Sequence, residues 1–393
     1  IIPKNLIAVT GTNGKSSIAN FYYQILRLNK KKVASIGTLG VKSDKINHNL
    51  PNTTVDPLYL GQILKKLKNS KIDNVIMEAS SHGLKQHRLD GLQFSTGIFT
   101  NLSQDHLDYH KNFRNYFKAK LYLFEKLIKP RGSVITDDKI PEFKKIKSVS
   151  KKRGLSLYTV NNLAKNFKIL SHQFSGDNQV LKIKYKNLIH EINLNLIGKI
   201  QLKNLIMAII AAIRSNIDLK KILNVIPKIK SVAGRLEKIG MIKNHSKVIL
   251  DYAHTPGALK TCLLNLREQF PEKKILLLFG CGGNRDQDKR SKMGKIADIY
   301  ADEIFLTDDN PRYENPAQIR KEIKKGIKRK KIYEISDRSK AIKKAIERLN
   351  TGEILLIAGK GHEEIQDIGK KKIHFSDKKT IIKEIKIKNL NLS

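Results

Sequence analysis

The sequence has no tryptophan and only two cysteines, Cys262 and Cys281. Two thiols without metal-ligand spacing exclude a disulfide framework, and this usage predicts a reducing cytoplasm as the compartment. No apolar run approaches the ~18 residues that a membrane-spanning helix needs. Residues 1–6 lack the charged and then apolar order of a signal peptide. These absences predict a cytoplasmic protein with no membrane partner.

Acidic residues are few compared with basic ones. The 393 residues include 76 Lys and Arg but only 36 Asp and Glu, which gives a formal net charge of +40. A charge of this size attracts polyanions. The lysines, however, are scattered in short groups such as residues 30–32 and 370–372, and no nucleic-acid module with interleaved aromatic residues is present. We therefore expect a lysine-rich solvated surface and no nucleic-acid partner.

Apolar, β-branched runs recur along the chain with helical stretches between them, which is typical of a parallel sheet in an α/β fold. The runs form two groups: residues 6–9, 33–36, 75–77, 97–99 and 134–135, then residues 248–250, 275–279, 304–306, 332–333 and 354–357. Between the groups, residues 181–185 and 192–196 alternate with a period of two, as half-exposed antiparallel strands do. A chain of this length is long enough for two or three domains, and we expect domains 1–231 and 232–393.

Polar clusters directly follow many of these strands. They are residues 10–17, 78–82, 251–254, 280–286, 307–312 and 359–364. In open α/β sheets ligands bind beyond the carboxyl ends of the strands, so each half should present a site at that edge. The cleft between the domains is the expected active site.

The clearest motif is the segment of residues 10–17, which stands between a strand and a helix predicted to begin near Ile18. Its glycines let backbone N–H groups close around phosphate, and the helix N-terminus favours negative charge. Lys15 can reach the outer phosphates of a nucleotide, and the Ser16 hydroxyl can hold Mg²⁺. The motif is a variant, because Val9 stands where glycine is usual. The sequence therefore predicts an ATP-binding domain.

Glu78 stands at the end of a buried strand, where an unpaired carboxylate would be costly and a metal ion would offset the cost. Downstream, residues 101–110 include two histidines and two aspartates. Taken alone, a histidine in such a segment is more often a hydrogen-bonded structural residue. Combined with the phosphate loop and Glu78, the segment predicts a metal site.

In their order along the chain, these motifs resemble those of the Mur ligase family. The motifs that carry the resemblance are Gly11-Thr-Asn-Gly-Lys-Ser16, Glu78-Ala-Ser-Ser-His82, Asn101 to His110, Ala119-Lys120 with Leu123-Phe124, Gly234-Arg-Leu-Glu237, Asp251-Tyr-Ala-His-Thr-Pro256 and Gly359-Lys-Gly-His-Glu363. The resemblance implies an α/β fold: a phosphate-loop-containing parallel-sheet ATPase domain with a small antiparallel β meander, followed by a Rossmann-like α/β C-terminal domain that binds an amino acid.

The resemblance is nearest to the members that add the third residue of the peptide stem in peptidoglycan precursor synthesis. It implies an ATP-dependent ligase that adds meso-diaminopimelate to UDP-N-acetylmuramoyl-L-alanyl-D-glutamate. The D-Glu carboxylate would take the γ-phosphate of ATP to form an acyl phosphate, and the incoming amine would then displace phosphate. ATP and Mg²⁺ are the implied cofactors, with CO₂ held as a carbamate on Lys120. The two small-molecule substrates are the implied partners, and we expect a monomer.

The resemblance also implies roles for the matched positions. The catalytic residues would be Lys15, His106 and Lys120, and the metal ligands would be Ser16, Glu78, His106 and carbamylated Lys120. The ATP-binding residues would be Gly11, Thr12, Asn13, Gly14, Lys15, Ser16, Asn204, Arg235, Asp251 and His254. The contacts to the muramoyl-dipeptide would be Thr53, Thr54, Ser81, Gln86 and Arg88. The contacts to the amino acid would be Arg285, Asp309, Asn310, Arg312, Gly359 and Glu363.

Arg312 favours diaminopimelate over L-lysine as the added amino acid. Diaminopimelate carries an extra carboxylate at its far end, with which an arginine can form a two-pronged pair. Glu363 and the Gly359 carbonyl can take the distal ammonium. In the family, arginine at this position accompanies the diaminopimelate-adding members.

The sequence departs from the family pattern at Val55 and Ala233, where proline is usual, and at Asn284, which replaces an aspartate. None of these changes removes a catalytic group. Family members carry roughly a hundred residues before the phosphate loop, and ten precede Gly11 here, so we expect a fragment or a truncated gene model. The alternatives are an L-lysine-adding Mur ligase, a ligase like folylpolyglutamate synthetase, an inactive fragment and a basic nucleic-acid-binding ATPase.

Overall fold

The computed structural model describes residues 3–161, 167–185 and 187–392. The chain divides into two compact units. The first unit contains Ile1–Asn195 and Lys199–Lys230, and the second contains Leu196–Gly198 and Ser231–Ser393. Within the described ranges, every helix is too short or too polar to pass through a lipid bilayer.

The first unit is built on an eight-stranded sheet with the order β4-β3-β2-β5-β1-β6-β7-β8. Its strands are β1 (Asn5–Thr10), β2 (Val33–Gly37), β3 (Gly40–Lys42), β4 (Asn47–His48), β5 (Asn74–Glu78), β6 (Phe94–Phe99), β7 (Ile128–Thr136) and β8 (Ser156–Thr159). Six neighbouring strands, β2, β5, β1, β6, β7 and β8, pair in parallel. Strands β3 and β4 extend the sheet beyond β2 and pair antiparallel. The β-branched runs form the central strands because both faces of a parallel sheet are covered by helices.

Helices cover this sheet. They are α1 (Lys15–Leu28), α2 (Pro57–Asn69), α3 (Ser81–Lys85), α4 (Leu107–His110), α5 (Phe113–Tyr122), α6 (Phe143–Lys152), α7 (Lys199–Arg214) and α8 (Leu219–Val225). A π-helical turn at Leu123–Leu127 continues α5. Helix α1 begins three residues before the expected Ile18, because Gly14 adopts a left-handed conformation (φ 92°) and serves as its N-cap.

A small antiparallel sheet with the order β11-β10-β9 completes the first unit. Its strands are β9 (Phe167–Ser175), β10 (Asn178–Tyr185) and β11 (Leu188–Leu194). The predicted alternation is confirmed: Leu181, Ile183 and Ile192 are buried, whereas Lys182 between them is exposed. One face of the meander therefore packs on the unit and the other faces solvent.

The second unit contains a six-stranded sheet with the order β12-β13-β17-β14-β15-β16. Its strands are β12 (Glu237–Met241), β13 (Lys247–Asp251), β14 (Ile275–Phe279), β15 (Glu303–Leu306), β16 (Lys331–Glu334) and β17 (Ile354–Ala358). All pair in parallel except β12, which is an antiparallel edge strand. The remaining elements are a hairpin, β18 (Ile365–Asp367) and β19 (Lys372–His374), and helices α9 (Pro256–Gln269), α10 (Asp288–Tyr300), α11 (Pro316–Lys324), α12 (Arg338–Arg348) and α13 (Asp377–Asn391). The predicted α/β fold class is confirmed.

Candidate functional site

The phosphate loop lies between β1 and α1, and glycine is required at two of its positions. Gly11 has φ 138° and Gly14 has φ 92°. A Cβ on Gly11 would overlap the side chain of Thr100, and a Cβ on Gly14 would lie 2.7 Å from Asn204 Oδ1. The structure thus brings Asn204, which is far away in the sequence, against the loop. Lys15 Nζ donates to the carbonyls of Gly11 (3.0 Å) and Thr12 (2.8 Å), so its ammonium lies over the loop.

Glu78 lies at the carboxyl end of β5, and its carboxylate is next to the phosphate loop. The residue is 2% exposed. Its Oε2 accepts from Ser16 Oγ (3.1 Å) and Thr38 Oγ1 (3.2 Å), and its Oε1 accepts from the Thr38 backbone N–H (2.9 Å). Two of the residues predicted to bind metal, Ser16 and Glu78, are therefore in direct contact, and hydrogen bonds offset the cost of burying the carboxylate.

Lys120, on α5, is a lysine buried in the first unit. It is 1% exposed, and its Nζ donates to the Gly11 carbonyl at 2.8 Å. The Nζ lies 4.5 Å from the centre of the Tyr116 ring, and the Tyr116 hydroxyl is 3.1 Å from Thr12 Oγ1. Burial lowers the pKa of Lys120 well below its usual value, and repulsion from Lys15 lowers it further. The lowered pKa favours the unprotonated amine beside the phosphate loop.

The backbone of His106 is left-handed (φ 53°), and its side chain lies among other aromatic rings. Burial lowers its pKa to about 4, although the Asp105 carboxylate, 3.4 Å from Nε2, opposes the shift. The His82 ring stands between His106 (4.8 Å between centroids) and Tyr109 (4.2 Å). A neutral imidazole at neutral pH is the form that binds a metal ion.

The residues around the loop fit Mg²⁺ by their chemistry. Mg²⁺ prefers oxygen ligands, and the Ser16 hydroxyl and Glu78 carboxylate supply oxygens within 3.1 Å of each other. Within residues 3–161, 167–185 and 187–392, no group of three or more His, Cys, Asp and Glu side chains has the spacing of a metal site. A Mg²⁺ ion in this unit would therefore also use other oxygen ligands, such as the Ser16 hydroxyl, nucleotide phosphates and water.

The residues predicted to contact the muramoyl-dipeptide lie in the loop before α2 and in the segment that contains α3 and the residues just after it. They are Thr53, Thr54, Ser81, Gln86 and Arg88. Thr54 is buried: its hydroxyl donates to the Glu78 carbonyl (2.9 Å), and its carbonyl accepts from Arg88 Nη1 (2.7 Å). Thr53 Oγ1 is 3.0 Å from Thr38 Oγ1, and Gln86 Nε2 donates to Tyr109 Oη (3.0 Å). Thr54 and Arg88 thus form part of the local framework.

In the second unit, the predicted nucleotide residues Arg235, Asp251 and His254 surround Tyr252. The Arg235 guanidinium carbon lies 4.6 Å from the centre of the Tyr252 ring, and His254 Nδ1 is 2.8 Å from the Tyr252 carbonyl. Asp251, at the end of β13, accepts from the Leu236 backbone N–H (2.7 Å). Burial raises the pKa of Asp251, and the nearby Arg235 charge opposes this rise.

The predicted amino-acid residues follow β15 and β17, whose carboxyl ends lie at one edge of the parallel sheet. The structure brings Asp309, Asn310, Arg312, Gly359 and Glu363 to that edge. Asn310 Nδ2 donates to Glu363 Oε2 (3.0 Å), and a Cβ on Gly359 would lie 2.6 Å from Asp309 Oδ2. Arg312 Nη1 donates to the Gly283 carbonyl (2.8 Å), which fixes the guanidinium. Arg285 is exposed in the loop after β14.

Two family models match the chain, one in each unit. Residues 9–212 match the model of the Mur ligase middle domain, and residues 234–361 match that of the Mur ligase glutamate ligase domain. The chain belongs to the Mur ligase family. A Mur ligase of Rickettsia bellii (strain RML369-C), named UDP-N-acetylmuramoyl-L-alanyl-D-glutamate–2,6-diaminopimelate ligase, is 43% identical over 380 residues, which are 95% of this chain and 79% of that protein. A relative of the same name from Mesorhizobium japonicum is 39% identical, over 95% and 77% of the two chains.

Solved structures of Mur ligases and related enzymes share the fold. A structure of a ligase with the same name superposes with a TM-score of 0.68 at 31% identity, covering 100% of this chain and 79% of that one. A folylpolyglutamate synthase of Mycobacterium tuberculosis, complexed with ADP and AMPPCP, has a TM-score of 0.69 at 16% identity, over 91% and 88% of the two chains. The second likeness extends to the fold alone.

Sequence reasoning missed several residues that hold this Mur ligase's clusters together. Thr38 carries two of the hydrogen bonds to Glu78, and Tyr252 joins Arg235 to Glu363 through its ring and its hydroxyl. No local pattern in the sequence marks Thr38. Tyr252 lies inside the motif Asp251-Tyr-Ala-His-Thr-Pro256, which is the signal in the sequence that marks it.

Proposed function

We propose that this Mur ligase adds meso-diaminopimelate to UDP-N-acetylmuramoyl-L-alanyl-D-glutamate and releases ADP and phosphate. One observation carries the proposal. The phosphate loop, the Glu78 carboxylate and the Lys120 amine lie together in a chain whose relatives, at 39–43% identity, are named for this reaction.

A carboxylate is a poor electrophile, so the D-Glu carboxylate must first gain a leaving group. Transfer of the γ-phosphate of ATP gives an acyl phosphate, and attack by the amine of the amino acid then expels phosphate. Both the carboxylate and the phosphate are anionic, so positive charge must bring them together. Lys15, held over the loop by two carbonyls, supplies one such charge. Mg²⁺ held by Ser16, Glu78 and His106 would supply further neutralisation.

Lys120 is suited to carry a carbamate. Only an unprotonated amine adds to CO₂, and burial beside Lys15 lowers the pKa of Lys120, which favours that form. Addition forms a bond from Nζ to carbon and releases one proton, which converts the side chain into an anion. The positive charge of Lys15, which disfavours a Lys120 ammonium, would stabilise the carbamate anion. The product would place two more oxygens near the Gly11 carbonyl, where the amine now donates at 2.8 Å.

Arg312 and Glu363 are suited to the distal end of diaminopimelate. An arginine has five N–H donors. The Gly283 carbonyl holds Arg312 through Nη1, so the guanidinium is oriented before the substrate binds. The distal carboxylate would pair with this guanidinium, and the distal ammonium with Glu363, whose side chain is 31% exposed. L-lysine lacks the carboxylate, so Arg312 would keep only its contacts within the protein, which include Asp367 Oδ2 at 3.8 Å from Nε.

The proposal is tested by ADP release from the purified chain with each substrate omitted in turn. We expect ADP only when ATP, Mg²⁺, the UDP-muramoyl-dipeptide and diaminopimelate are all present. ADP release that needs oligonucleotide instead, or that proceeds with folate and glutamate in place of the two substrates, would contradict the proposal.

A further inference from the structure

Lys360 is a second buried lysine, and the reaction described above gives it no role. It follows Gly359 at the carboxyl end of β17, and it is 0% exposed. A buried ammonium is costly unless it is paired and hydrogen-bonded. Lys360 Nζ donates to Asn310 Oδ1 (2.9 Å), Glu363 Oε2 (3.2 Å) and the Ile365 carbonyl (2.6 Å). An ammonium has three protons, so these three acceptors use all of them.

These contacts fix the orientation of the Asn310 amide. An ammonium only donates, so the atom of Asn310 that faces Lys360 must be its oxygen. The Asp367 backbone N–H donates to the same oxygen at 3.0 Å. The amide nitrogen is therefore turned towards Glu363, to which it donates at 3.0 Å. An inverted amide would place its N–H group against two donors.

The Glu363 carboxylate is held from three sides. Oε2 receives bonds from Lys360 and Asn310, and Oε1 receives one from the Tyr252 hydroxyl at 3.1 Å. A carboxylate has about four lone-pair sites, and the side chain is still 31% exposed. The carboxylate is thus immobilised while part of its surface can accept a further cation.

We propose that Lys360 is a positioning residue for the amino-acid substrate. Its ammonium is buried beneath Asn310 and Glu363 and does not touch the substrate. By orienting both side chains, it turns the exposed side of Glu363 towards the distal ammonium of a diamino acid. This inference rests on the proposed function, because it takes Glu363 as the acceptor for that ammonium.

The test compares steady-state kinetics of Lys360→Met, Glu363→Gln and the double variant with the wild-type chain. Loss of the orienting charge-assisted bonds should raise the KM for diaminopimelate roughly 10- to 100-fold, while the KM for ATP changes less than about threefold. In the Glu363→Gln background the effect of Lys360→Met should shrink, because the residue through which Lys360 acts is already altered. Lys383→Met, at an exposed position on α13, is the matched control and should behave as wild type.

Two results would overturn the inference: an unchanged diaminopimelate KM in Lys360→Met, or fully additive effects in the double variant. If Lys360→Met does not fold, Lys360→Gln retains a polar group at the site. Its diaminopimelate KM should still rise at least about fivefold, and an unchanged KM would reject the proposal. Failure of the proposed function would look different from failure of this inference, because the wild-type chain itself would then not turn over diaminopimelate.

Discussion

Two buried lysines of this Mur ligase, Lys120 and Lys360, have opposite surroundings. Lys120, in the first unit, donates to one backbone carbonyl and lies over the Tyr116 ring. Lys360, in the second unit, forms an ion pair with Glu363 and two further hydrogen bonds. Burial, together with a neighbouring cation, lowers the pKa of Lys120 and favours its unprotonated form. Lys360 is instead buried against a carboxylate, and its hydrogen bonds orient Asn310 and Glu363.

The two surroundings suit different roles: that of Lys120 suits a part in the reaction, and that of Lys360 suits the positioning of neighbouring side chains. In a chain with a net charge of +40, most lysines are expected on the solvated surface. A buried lysine is different, because the cost of its burial must be offset by hydrogen bonds, an ion pair or loss of its proton. Changes at Lys120 should therefore appear in the rate of ligation, and changes around Lys360 in substrate affinity.

The largest effect is expected for Lys120→Ala. Ligation should fall by at least roughly 10³-fold in kcat, because the variant lacks both the amine and the carbamate that we propose it carries. ADP binding, measured by calorimetry, should persist since the phosphate loop is intact. A short carboxylic acid in the assay should restore part of the rate by supplying the missing oxygens. Lys118→Ala, at an exposed position on the same helix, is the control, and full activity in Lys120→Ala would end the assignment.

A smaller effect, in affinity rather than in rate, is expected for Arg312→Ala. The KM for diaminopimelate should rise roughly 100-fold, because two charge-assisted hydrogen bonds are lost, and the KM for ATP should change little. Arg329→Ala removes an arginine of the same unit whose side chain is 71% exposed and serves as the control. An unaltered diaminopimelate KM would remove Arg312 from the site.

Substitution of Lys360 should destabilise the protein, whereas substitution of Lys120 should not. Lys360→Met removes one partner of a buried, hydrogen-bonded pair and should lower the free energy of unfolding by about 1–3 kcal/mol. Lys120→Met replaces a poorly solvated amine with an apolar side chain of similar length, so its stability should equal or exceed that of the wild type. Urea denaturation of both variants is the measurement. A greater loss for Lys120→Met than for Lys360→Met would contradict the comparison.

The most gradual effect concerns pH. Because the pKa of Lys120 is lowered in the folded state, the unfolded chain binds more protons between that lowered value and its ordinary 10.5. The stability of the wild type relative to Lys120→Met should therefore rise as pH increases across this window, by at most ~1.4 kcal/mol per unit. Denaturation from about pH 7.5 to about pH 9.5 in bicarbonate-free buffer measures it. Lys118→Met should keep the wild-type dependence, and a difference that is flat or falls with pH would contradict the lowered pKa.

Sequence reasoning succeeded where a local pattern carries the information. The β-branched runs predicted five strands of each large sheet but not β3, β4, β8 and β12, and alternation predicted the meander. The phosphate loop was recognisable because its glycines, Lys15 and Ser16 lie within a few consecutive positions. The start of α1 was placed three residues late, since the left-handed cap at Gly14 is a backbone property that the pattern does not reveal.

The remaining contacts join residues that are distant in the sequence. Thr38 bonds to Glu78 across 40 positions, and Lys360 bonds to Asn310 across 50. The fully buried ion pair between Arg338 and Asp377 was not predicted either. In the sequence, each residue alone is indistinguishable from a charged surface residue. Only the folded sheet brings such partners together, so their roles could not be derived from spacing.

The most direct test of the proposed activity is a competition between amino acids. The purified chain is given ATP, Mg²⁺, UDP-N-acetylmuramoyl-L-alanyl-D-glutamate and equal concentrations of meso-diaminopimelate, L-lysine and L-ornithine, and the products are identified by mass spectrometry. We predict one new UDP-muramoyl product, heavier than the dipeptide substrate by a diaminopimelate residue and formed only with ATP. A lysine product in comparable amount, or no ATP-dependent product at all, would contradict the account.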